Sequence, residues 1–165
     1  MARPALAPEM IAPTDMGPAK RKQLGAPGLR AFLAIADLWG LSEKQRLAVL
    51  GQPSRSAFYA WVKKAQGGEA IALPLDTLLR VSAVLGIHKA LTILFHDPVQ
   101  AMVWLKGAHR GLPFSGQAPI ELLESGTQDG LMSLRRYLDA WRGGGAQGVP
   151  PEGMEPVTRE SLVFA

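Results

Sequence analysis

The sequence predicts an all-α protein, in which a helix–turn–helix unit packs with a small helical domain. Three observations carry this. Apolar residues recur at the i, i+3, i+4, i+7 spacing of one helix face, capping residues open those runs and glycines close them, and no segment reads as a convincing strand. The 165 residues hold one ordinary domain or two small ones, and 47% hydrophobic with 19% charged residues permits a buried core.

Residues 1–27 are rich in proline and alanine, lack a sustained period and carry the basic run Lys20-Arg21-Lys22, so they read as a disordered arm. From Leu29 the pattern turns helical, with Leu29, Phe32, Leu33 and Ala36 on one face and Gly40 as the stop. "LSEKQRLAVLG" opens with a capping box, in which Ser42 and Gln45 each satisfy the other's backbone amide. Gly51 ends this helix and Gln52-Pro53 turns the chain. Ser54 is placed as N-cap of "SRSAFYAWVKKA", which Gly67-Gly68 closes. That pair separates a helix–turn–helix region, residues 28–67, from a helical domain, residues 68–142.

In the second region Leu75, Leu78, Leu79, Ser82 and Leu85 form a face that Gly86 ends, and Ile87 to Phe95 is a separate short apolar helix. Asp97 caps the next, whose Val99, Met102 and Val103 are expected to face inward. After the irregular "GAHRGLPFSGQ", Pro119 suits the first turn of "PIELLESG". A last helix from about Gln128 to Arg142 buries Leu131, Leu134, Leu138 and Trp141. Residues 143–165 form a flexible tail, rich in glycine and proline to Pro156 and apolar at its tip.

Several function classes are poorly served. No run of about 18 residues is free of charge, as a membrane-spanning helix requires. Pro4, Pro8, Glu9 and Pro13 interrupt any signal-peptide core. Cysteine is absent, which excludes disulfides and thiolate metal sites. The expectation is a cytoplasmic protein. "GGGAQG" follows a helix and precedes prolines, so no phosphate-cradling strand–loop–helix forms around it. His88, His96 and His109 are scattered, and Glu121 and Glu124 suit a solvated helix face better than paired-carboxylate chemistry. Neither an active site nor a metal or other cofactor is nominated.

The charge is lopsided. Residues 1–64 carry net +6 and residues 65–165 net −2, which points the front half toward a polyanion such as DNA. On a helical wheel of the second helix of the turn, Ala57, Phe58, Trp61, Val62 and Ala65 share the inward arc. Arg55, Ser56, Tyr59 and Lys63 share the outward one. A guanidinium, two hydroxyls and an ammonium are what a recognition helix presents to bases and phosphates, with its N-terminal residues nearest the bases. An ordinary amphipathic surface helix has the same two arcs.

Residues 97–144, "DPVQAMVWLKGAHRGLPFSGQAPIELLESGTQDGLMSLRRYLDAWRGG", carry a family likeness. Ala101 with Trp104-Leu105, Phe114 and Gly116 leading into Pro119, "IELLESG", and a final helix with Leu134 and Leu138 together resemble the C-terminal domain of Xre/MbcA/ParS-type antitoxins. The segment from about Leu29 to Phe95 is similar to that family's Xre-like helix–turn–helix part, so the likeness spans roughly residues 28–144, closest to the ParS subgroup. "KGAHRGLP" departs from it, since the family has a shorter, asparagine-containing loop there, which leaves the contacts of loop 106–113 open. The resemblance implies a non-enzymatic antitoxin that pairs with a RES-domain toxin, an NAD-consuming relative of ADP-ribosyltransferases. It further implies a homodimer within a hetero-oligomeric complex, and repression of its own operon through the helix–turn–helix. The rival reading is a stand-alone transcriptional regulator without a protein toxin.

The tail acquires meaning from that resemblance. An antitoxin of an NAD-consuming enzyme can act by occupying the NAD cleft, and the tether from Gly143 to Pro156 reaches about 20 Å as a flexible chain. Leu162, Val163 and Phe164 contribute roughly 1.5–3 kcal/mol each when fully buried. Ordering the tail costs on the order of 2–5 kcal/mol, so the tip prevails by a small margin. Arg159, Glu160 and Ser161 supply polar groups for a nucleotide site. The competing expectation is a disordered end, with the globular domain alone blocking the toxin.

Overall fold

The computed structural model describes residues 16–143. The expectations for the tail, Arg159 to Phe164 included, lie outside the described residues, as do those for residues 1–15. Seven helices make up the described chain: α1 (Pro18–Trp39), α2 (Glu43–Val49), α3 (Arg55–Gln66), α4 (Leu75–Leu94), α5 (Pro98–Lys106), α6 (Pro119–Glu124) and α7 (Gln128–Arg142). There is no strand among the described residues, and the all-α expectation holds.

Where the stop and start signals are local, sequence and structure agree. Gly40 ends α1 in the left-handed region at φ 68°. The Ser42–Gln45 capping box is formed, with the Ser42 amide donating to Gln45 Oε1 at 2.7 Å and the Gln45 amide to Ser42 Oγ at 3.3 Å. Ser54, Asp97 and Thr127 cap α3, α5 and α7 through their side-chain oxygens.

Three expectations need correction. The disordered arm does not extend to residue 27, because α1 begins at Pro18 and takes Lys20-Arg21-Lys22 into its first turns. Packing overrides the weak local pattern there: Gly25 and Ala26 are buried, and Gly25 lies so close to the Ile71 carbonyl that a Cβ would overlap it. Gly86 does not end a helix, for α4 runs unbroken through it. The glycine instead makes room for the Arg135 guanidinium of α7, which donates to the Ser82 carbonyl at 3.0 Å. The inward faces of α4 and α5 are also rotated from those expected. Leu78, Val81, Val84, Ile87 and Leu91 are buried, whereas Leu75 and Leu79 are 40% and 37% exposed. In α5 the buried residues are Ala101, Trp104 and Leu105, and Val99 and Val103 are each 67% exposed.

The reason lies in the position of α4. It packs against α1 on one side and α7 on the other, so its buried arc is wider than a surface helix's and polarity marks it poorly. Its length and hydropathy would suit a membrane crossing, but half of it is buried inside the protein, as befits a core helix. One contiguous hydrophobic core runs from Ala26 to Leu138, across the Gly67-Gly68 turn. Within the second region Arg80, itself buried, donates to Asp76 at 2.8 Å and to the Gly126 carbonyl at 2.9 Å. A polar bond also crosses the divide. The Gln45 side chain on α2 donates to Glu124 on α6 at 2.5 Å.

Candidate DNA-reading face and partner-binding unit

Helix α3 stands on its apolar arc. Phe58 and Ala65 are buried and Ala57, Trp61 and Val62 half-buried, while Arg30 of α1 donates to the Ala65 carbonyl at 2.9 Å and ties down the helix end. The opposite arc is left outward, and Arg55, Ser56, Tyr59 and Lys63 are all exposed along it. The structure thus brings the four sequence-nominated residues onto one open face.

It also brings there a residue that the sequence reading missed. Glu43, the first residue of α2, meets Arg55 Nε through Oε1 at 2.6 Å and accepts the Tyr59 hydroxyl through Oε2 at 2.5 Å. The Tyr59 hydrogen bond, and then Arg55, hold the Glu43 carboxyl below the usual carboxylate range. Glu43 in turn raises the pKa of both Arg55 and Tyr59, chiefly by the same bonds. One signal was available: Glu43 and Arg55 each follow an N-cap serine at the start of consecutive helices, and a helix–turn–helix sets two such starts side by side.

The second unit is organised around Trp104. Its ring, nearly fully buried, contacts Phe95, His109, Phe114, Tyr137 and Trp141 at centroid distances between 5.3 and 6.2 Å. Loop 106–113, whose contacts the sequence left open, folds back onto this cluster through His109. That imidazole stacks on Trp104 and hydrogen-bonds the Trp104 carbonyl at 2.9 Å through Nε2, and its backbone carbonyl accepts from Gly116 at 2.7 Å. At the far end of α7, Trp141 packs edge-on to Phe95, so the last described residues lie beside this cluster.

Next to it, between α1, α4 and α5, lies an apolar groove of about 460 Å³ whose walls include Leu38, Trp39, His88, Phe95, Val99 and Met102. His88 is half-buried there, its ring 6.2 Å from Trp39, and burial pushes its pKa below the ordinary imidazole value. Glu121 and Glu124 have separate structural duties. Glu121 accepts the Ala118 amide at the start of α6, and Glu124 accepts from Gln45. Among the described residues, no three His, Asp or Glu side chains gather to hold a metal ion.

Comparison with known proteins divides the chain in two. Residues 18–86 match the antitoxin Xre-like helix-turn-helix domain, and residues 90–144 match the antitoxin Xre/MbcA/ParS C-terminal toxin-binding domain. Over 116 residues the chain is 40% identical to the uncharacterized protein y4oB of Sinorhizobium fredii (strain NBRC 101917 / NGR234), an alignment that covers 70% of this chain and 84% of that relative.

Proposed function

The chain belongs to the Xre/MbcA/ParS antitoxins, and from that premise we propose that it neutralises a RES-domain, NAD-consuming toxin by blocking the toxin's NAD cleft. It acts by binding rather than by catalysis. The observation that carries the reading is the toxin-binding match over residues 90–144, which ends where α7 ends and the tail begins. The apolar tip, with Arg159, Glu160, Ser161, Leu162, Val163 and Phe164, is the blocking element, delivered by the 14-residue tether of Gly143 to Pro156. The exposed set Arg55, Ser56, Tyr59 and Lys63 reads the protein's own operator. Two copies of the chain, held within a larger complex with toxin, favour an inverted repeat whose half-sites lie about 34 Å apart or a multiple of it.

The test is NAD consumption by the adjacently encoded protein, assayed alone, with the full chain, and with the chain cut after Pro156. The full chain is expected to inhibit and the shortened one to need at least about tenfold more protein, the loss of one well-buried apolar anchor. Equal inhibition by both would remove the tail from the mechanism and leave the blocking surface within residues 97–142. No inhibition by either would favour a regulator without a protein toxin.

A further inference from the structure

A carboxylate on a surface meant for DNA is repelled by every phosphate it approaches, whatever the sequence. Glu43 is such a group: its side chain is 36% exposed, in the first turn of α2, at the lip of the face that carries Arg55 and Tyr59. Helix α2 is the one expected to cross the DNA backbone, and the start of α3 the part expected to meet the bases. The geometry offers a compensating role. Each oxygen of Glu43 takes a different partner from α3, one Arg55 and the other Tyr59, one helical turn apart. With Nε on Glu43 and a further hydrogen bond between Arg55 and Tyr59, the guanidinium is held from one side, and its Nη end is the part to grip guanine O6 and N7. An unheld arginine, on a side chain that is 72% exposed, would settle on any nearby phosphate.

We propose that Glu43 is the positioning residue that sets operator specificity, fixing Arg55 and Tyr59 for base contact while lowering affinity for DNA in general. It weakens binding to all sequences and restores it only where a base answers Arg55, so discrimination rises as bulk affinity falls. The inference rests on reading the helix–turn–helix as an operator reader. The bonds from Tyr59 and Arg55 that lower the Glu43 pKa favour its charged form, the form the clamp uses.

The experiment compares the full chain's affinity for the duplex immediately upstream of its own coding sequence with that for a shuffled duplex of equal composition, at matched salt. Glu43→Gln preserves size and removes the charge. It should bind the shuffled duplex several-fold tighter and cut the upstream-to-shuffled ratio by about five- to tenfold, the discrimination of one bidentate base contact. Its salt dependence should steepen by about one phosphate's worth, as Arg55 is released to the backbone. In an Arg55→Ala background the same change should move the ratio much less than it does in the unaltered protein, leaving only the part carried through Tyr59. Tyr59→Phe removes one arm of the clamp without altering charge. It should lower the ratio without changing the salt slope, and its effect should be less than additive with that of Glu43→Gln; full additivity in the double variant overturns the clamp. An unchanged ratio in Glu43→Gln, with Arg55→Ala still losing operator preference, overturns the proposal and spares the operator reading. If the unaltered protein shows no preference for the upstream duplex, the operator reading falls and takes the proposal with it.

Discussion

His88 shows how one residue ties stability to pH. Burial against Trp39 and the apolar groove disfavours its charged form, so the folded protein binds the His88 proton more weakly than the unfolded chain does. As pH falls below the ordinary imidazole value of 6.5, the unfolded state takes up that proton first. The stability present above that value is then lost. The urea midpoint should therefore drop between about pH 7 and about pH 5.5, and drop less in His88→Gln. Equal drops in both proteins would remove His88 as the cause. At this scale the sequence was informative about exposure along α3, less so along α4 and α5, and silent about pairing. The wheel separated Phe58 and Ala65 from Arg55, Ser56, Tyr59 and Lys63, because a helix's periodicity is written in its own residues. Glu43 escaped notice because its partners lie on another helix, and only the turn at residues 50–54 brings the two helix starts together.

Glycines mark places where a helix is approached closely by another part of the chain. Gly25 is the severest case, for a Cβ there would meet the backbone of Ile71, which cannot swing aside as a side chain can. Gly25→Ala should push α1 off the segment before α4 and destabilise the protein by about 1–3 kcal/mol, the usual penalty for overpacking. A Cβ at Gly111 meets nothing, so Gly111→Ala serves as the neutral comparison in the same urea titration. If both variants unfold alike, α1 does not depend on that close approach. The same feature explains which elements could be read beforehand. Caps such as Ser42 and Ser54 bond three residues ahead, so the sequence displays them directly. The early start of α1 and the passage of α4 through Gly86 depend on Ile71 and Arg135, remote partners that no local window contains.

At the scale of the molecule, the two family matches end at residue 86 and resume at residue 90, both inside α4. The core is continuous across that seam, with Arg80 and Arg135 bonded over it. The chain should therefore unfold in a single transition. Fluorescence from Trp39 and Trp61 in the front unit and Trp104 and Trp141 in the back should coincide with the loss of helical circular dichroism in urea. Two separated transitions, one per matched segment, would show instead that the units melt independently. The unbroken α4 also bears on how such genes recombine. A crossover between codons 86 and 90 would graft two half-rods whose buried sides evolved against different neighbours, and most progeny would misfold. Exchange is safest beyond α7, where it parts no described core residue from its neighbours, so that lineages inherit α1 to α7 together.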